Sequence, residues 1–107
     1  MNLPSAAHLS TIVRDASVSS SVRKRAARSL GDSRDRDALG VAISLCGETE
    51  LPANLQRELG RSAAQLATSR GVVKETFDLN VFDMTAIAYT EFASRVVVLS
   101  SLPEVSD

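Results

Sequence analysis

The stretch VRKRAARSL, residues 22–30, laid over LQRELGRSA, residues 55–63, decides the reading of this chain. Apolar or small residues coincide at Val22/Leu55, Ala26/Leu59, Ala27/Gly60 and Leu30/Ala63, and Arg28-Ser29 returns as Arg61-Ser62 at an offset of 33 residues. The same offset holds upstream, at Ala6/Leu39, Leu9/Ala42, Ile12/Leu45, Val13/Cys46, Asp15/Glu48 and Val18/Leu51. Downstream, Met84, Ala88, Phe92 and Val96 align with Leu51, Leu55, Leu59 and Ala63. A fixed period of a few tens of residues marks stacked helical units, which build binding surfaces more often than active sites.

Worked outward from that repeat, the pattern predicts five helices and no strand. The first covers residues 5–16, behind Pro4, with Leu9, Ile12, Val13 and Ala16 as its apolar stripe. Ser19–Ser21 offers caps for a second helix over 21–30 that buries Val22, Ala26 and Leu30, with Gly31 as a left-handed exit residue. A third helix over 34–46 follows the capping pair Asp32-Ser33, with Asp35 and Asp37 in its first turn, where the helix dipole favours acids. Gly47 closes it. Pro52 opens a fourth helix over 52–69, with Leu55, Leu59, Ala63 and Leu66 inward and Gly71 as its stop. Residues 72–79 read as a connector. Asn80 then caps a last helix over 81–97, apolar over most of its girth through Val81, Met84, Ile87, Ala88, Phe92 and Val96, and such a helix needs cover on two sides. Residues 99–107 are expected to form a loose tail.

At 107 residues the chain fits a single all-helical domain, 1–107. Aromatics make up 4% and Trp is absent, so Ala, Leu and Val must supply the core, which suits close helix packing. Nothing in a net charge of −1 recommends a polyanion as an obligatory partner. The excess of Arg over Lys, with abundant Ala and Ser, points to a GC-rich bacterial coding sequence. One cysteine, Cys46, permits no internal disulfide, and no apolar run approaches membrane-spanning length. A cytoplasmic location and no membrane association are the resulting expectations.

The run VRKRAARSLGDSRDRDAL, residues 22–39, resembles the second helix and following turn of a HEAT-like repeat. The pattern of that class is filled by Val22, Arg23, Ala26-Ala27, Leu30, Gly31, Asp32 and Leu39, and the resemblance extends over residues 18–66. The second copy departs from it, with Leu59-Gly60 in place of the Ala pair and no following Leu-Gly-Asp. The resemblance implies an all-α fold: a short right-handed α-solenoid of HEAT-like helical hairpins with a C-terminal capping helix, binding other proteins. It further implies that the second and fourth helices line one concave face, so that Arg25, Arg28, Arg57, Glu58 and Arg61 form an Arg-rich recognition strip. Arg suits such a strip through its planar fork and apolar stem.

No catalytic constellation accompanies the repeat. His8 and Cys46 are the sole His and Cys, and no third residue can be assigned to orient them. Cys46 falls on a core position of the repeat and reads as a small buried hydrophobe. Asp32, Asp35 and Asp37 lack the central glycine and closing glutamate of a calcium loop, the glycines are scattered singly, and no cofactor or metal is expected. On the fourth helix, Gln56, Arg57, Glu58, Arg61 and Gln65 form the polar side, with Glu58 and Arg61 spaced for a surface ion pair. The leading expectation is a non-enzymatic protein-binding module, in its most concrete form a bacterial immunity or inhibitor protein. The alternatives are a nucleic-acid-associated regulator using the basic run from Arg23 to Arg28, or an adaptor or assembly subunit docking through its apolar last helix. Nucleic acid is disfavoured because no aromatic residues interleave the basic run and the acids of the third helix would repel phosphates.

Overall fold

The computed structural model describes residues 4–69 and 83–101, and these are helical with no strand among them. The helices are α1 (Ala6–Arg14), α2 (Ser20–Gly31), α3 (Ala38–Cys46), α4 (Ala53–Ser69) and α5 (Ala86–Ser101). The expected stop at Gly71 and the connector 72–79 lie outside the described residues. Residues 99–101, expected in the tail, continue α5, and residues 102–107 are outside the described set.

The 33-residue offset is visible in the helix boundaries, because α2, α4 and α5 begin at Ser20, Ala53 and Ala86. The shorter α1 and α3 are both nine residues long and end on Arg14 and Cys46. α4 packs against α2, α3 and α5, while α1 packs on α2 and α3. The longest helix therefore holds the centre. Leu55, Leu59, Ala63 and Leu66 are all buried there, as expected, and Ala64 and Ala67 are buried as well. Each buried Leu contributes about 1.5–3 kcal/mol relative to exposure, and the small residues let three helices reach α4 at once.

Local chemistry sets the boundaries. Ser5 caps α1, its Oγ accepting from His8 N at 3.1 Å, and Ser19 caps α2 by accepting from Val22 N. Pro52 precedes α4 and its carbonyl accepts from Leu55 N and Gln56 N. α5 begins at Ala86, not at residue 81, because the Thr85 hydroxyl accepts from Ala88 N at 3.1 Å and caps the helix there. α3 begins four residues later than its acidic turn suggests, because Asp35 is engaged elsewhere. Its Oδ2 accepts from Ala6 N at 2.8 Å, which caps α1 across a tertiary contact.

Several expectations for α1 and α2 need correction. On α2 the inward positions are Arg23, Ala26, Ala27, Leu30 and Gly31, while Val22 is 43% exposed. Arg23 is drawn inward because its Nε donates to Val13 O at 2.9 Å, satisfying a carbonyl of the last turn of α1 that the helix itself leaves open. Gly31 is a helical residue, not a left-handed exit. A side chain there would press on Ser62 of α4, so the close approach of the two helices favours glycine. Ala16 lies beyond the end of α1 and is exposed. On α5, Met84, Ala88 and Phe92 face the core, whereas Tyr89 and Val97 are 44% and 66% exposed.

Candidate functional site: an arginine groove across α2, α4 and α5

The expected surface pair Glu58–Arg61 does not form. Glu58 reaches back to α2, its Oε1 accepting from Arg28 Nε at 3.1 Å, and Arg61 reaches forward to α5, donating from Nε to Glu91 Oε1 at 2.7 Å. Each partner lies 30 residues from the other, and the second pair is the first displaced by the repeat offset. Arg28 and Arg61 hold the same place on successive helices, as do Glu58 and Glu91. The carboxylates sit inside, with 9% and 20% of their side chains exposed, and the guanidiniums sit outside, at 65% and 50%. Glu91 raises the proton affinity of Arg61, first through the hydrogen bond and then through its charge, which fixes that guanidinium as a cation.

A groove of about 480 Å³ runs over these helices, lined by Arg28, Glu58, Arg61, Ser62, Gln65 and Arg95. Two hydrogen bonds tie its floor together. Ser62 Oγ donates to Ala27 O at 2.6 Å, and Gln65 Nε2 donates to Asp32 Oδ1 at 2.8 Å. Both tie α4 to the end of α2, so the groove has a braced wall on that side. Arg61–Glu91 braces the other. Because Glu58 and Glu91 are drawn inward while Arg28 and Arg61 stay exposed beside Arg95, the outer lining carries mainly positive charge, with Asp32 at its edge held by Gln65.

Arg28, Glu58 and Arg61 are thus brought together, and Arg25 and Arg57 are not part of the same groove. Arg25 is exposed on α2 without lining it, and Arg57 lines a smaller depression of about 260 Å³ with Ala86, Ile87, Thr90 and Glu91. Among the described residues neither has an ion-pair partner. Arg95, Ser62 and Glu91 were missed by the sequence reading. The offset itself points to Glu91, which stands 33 positions after Glu58.

Gln56 and Glu58, expected on the polar side of α4, are buried. Gln56 turns inward because its Nε2 donates to Leu51 O at 2.7 Å, holding the turn before α4. Arg23 likewise leaves the basic run, since its side chain is buried with Nε donating to Val13 O. Another groove of about 500 Å³, by Pro4, Leu9, Ser29 and Arg34, carries Asp32 and Asp35, but these carboxylates already accept from Gln65, Ala6 N and Asp37 N.

Cys46 is fully buried, and burial pushes its thiol up to about 12, which leaves it protonated at neutral pH. His8 is exposed. Among the described residues no three His, Cys, Asp or Glu side chains cluster as a metal site would require, and no helix is long and apolar enough to cross a membrane. No family model, curated protein or solved structure matches this chain.

Proposed function

We propose that this chain is a non-enzymatic protein-binding module, built as a short right-handed α-solenoid of HEAT-like hairpins, which receives a partner protein in the groove over α2, α4 and α5. The observation that carries this reading is the repeated pair Arg28–Glu58 and Arg61–Glu91, which places two guanidiniums in register on neighbouring helices. Helix starts spaced by 33 residues support the same architecture. The groove is lined by polar and charged side chains rather than a concave apolar pocket, which suits a polypeptide more than a small hydrophobic ligand. The withdrawal of Arg23 into the interior weakens the competing nucleic-acid reading, because it removes one cation from the basic run.

The test is quantitative affinity capture from host extract with the wild-type chain and an Arg28→Gln/Arg61→Gln/Arg95→Gln variant of matched helicity. The expected outcome is a protein retained by the wild type and lost with the triple variant. Retention that is equal for both chains would remove the groove from the function.

A further inference from the structure

The two paired arginines of the groove use only part of their hydrogen-bonding capacity. Arg28 and Arg61 each hold their glutamate through Nε. Among the described residues their terminal nitrogens make no hydrogen bond and Arg95 has no ion-pair partner. A guanidinium has five donors in a fixed fork and can grip a second carboxylate bidentately while its Nε stays occupied. The internal glutamates therefore act as brackets that hold the two forks, and both arginines line the groove. Forks held in this way lose less side-chain freedom on binding than free arginines do.

Spacing then restricts what can fill them. Arg28 and Arg61 hold matching places on packed helices, whose axes generally lie about 8–10 Å apart, and that separation is the repeat a bound segment would follow. A flat β-strand matches it less well on one face, since same-side residues recur about every 7 Å. A polyproline-II segment matches it better: it has three residues per turn and rises about 3.1 Å per residue, so residues three apart share a face about 9 Å apart. Charge sets a second condition. Across the helices the order is Arg28, Glu58, Arg61, Glu91, so an anion between the two arginines meets a carboxylate. A ligand with evenly dense negative charge is repelled at every second step, and one with an acid at each third residue is not.

From this we infer that the groove recognises an extended acidic segment of a partner protein, in polyproline-II conformation, whose Asp or Glu side chains recur every third residue and pair with Arg28 and Arg61. The inference rests on the protein-binding reading and adds the chemistry of the bound segment.

The experiment is selection of a displayed random dodecapeptide library against the full chain, counter-selected on Arg28→Gln/Arg61→Gln. Anisotropy titration of synthetic peptides with three glutamates, either spaced three apart or contiguous, follows at physiological salt. An Arg25→Gln variant, at an exposed residue of α2 that lies outside the groove and makes no ion pair among the described residues, serves as the control and should fold and bind as the wild type does. The expected result is enrichment of acids at three-residue intervals, binding of the spaced peptide at least fivefold tighter than the contiguous one, and a tenfold loss on Arg28→Gln or Arg61→Gln. Enrichment of non-acidic sequences that still depends on these arginines overturns the inference and leaves the protein-binding reading standing. Equal binding of the spaced and contiguous peptides overturns the spacing in the same way. Absence of any enrichment that depends on the groove overturns both.

Discussion

A side-chain carbon at Gly60 would fall on the carbonyl oxygen of Ala88, so the backbones of α4 and α5 approach closely there. Backbone cannot retreat as a flexible side chain can. Replacing a helical glycine by alanine ordinarily stabilises by about 1 kcal/mol, but forcing two packed helices apart costs about 1–3 kcal/mol or more. Gly60→Ala should therefore lower stability by about 2 kcal/mol in urea unfolding. Gly40, in α3, meets nothing within 4 Å of the added carbon and is exposed, so Gly40→Ala should raise stability by about 0.5–1 kcal/mol. Equal effects of the two substitutions would mean that α4 and α5 do not approach as described.

The two ion pairs joining neighbouring helices share a geometry but differ in burial. Glu58 is the more covered carboxylate, with 9% of its side chain exposed against 20% for Glu91. Because both arginines face solvent, neither pair is strong, and screening reduces each further. A double-mutant cycle on Arg28 and Glu58 should give a coupling of about 1 kcal/mol, and one on Arg61 and Glu91 a few tenths. Both couplings should shrink in 1 M salt. A larger value for Arg61 and Glu91 would contradict the burial order.

Arg23 is the charged residue that the fold uses as a structural donor. Arg23→Met keeps the long apolar stem but removes the donor to Val13 O, leaving a carbonyl at the end of α1 without that partner. The expected cost is about 1–3 kcal/mol, seen as a shift in the urea midpoint. Arg25→Met, two residues away and exposed, should change stability by less than about 0.5 kcal/mol. If the two substitutions behave alike, the Arg23 side chain is on the surface and the basic run regains its full charge.

Much of the fold is legible in apolar spacing alone. Leu55, Leu59, Ala63 and Leu66 name the inner face of α4, and Leu9 and Val13 that of α1, because a 3.6-residue period leaves few other arrangements. What spacing cannot show is the demand of one helix end on a neighbouring helix. Val22 looks like the apolar choice on α2, yet the open carbonyl of Val13 draws Arg23 inward and rotates that expectation by one residue. Asp35 looks like a first-turn acid of α3, yet it is taken by Ala6 N. The same limit applies at the groove. Local spacing offers Glu58 only Arg61, while its partner in space, Arg28, is 30 residues away. Once the 33-residue offset is trusted for polar as well as apolar positions, Glu58 and Glu91 become equivalent and the ladder can be anticipated.

Cys46 provides the last test, through pH. Its thiol is pushed by burial from 9.0 up to about 12, so the folded state holds the proton more tightly than the unfolded chain does. A group raised in the folded state contributes its full stability below its unfolded value and loses it as the pH rises toward the folded value. The window is therefore pH 9 to about 12. Within it the wild type should lose about 1.4 kcal/mol per pH unit relative to Cys46→Ala, which has no thiol to ionise. Other alkaline titrations are common to both chains and cancel in the difference. The same burial predicts that iodoacetamide at pH 8 labels the native thiol at least a hundredfold more slowly than the urea-unfolded one. Rapid native labelling, or parallel alkaline profiles for the two chains, would place Cys46 at the surface and detach α3 from the core.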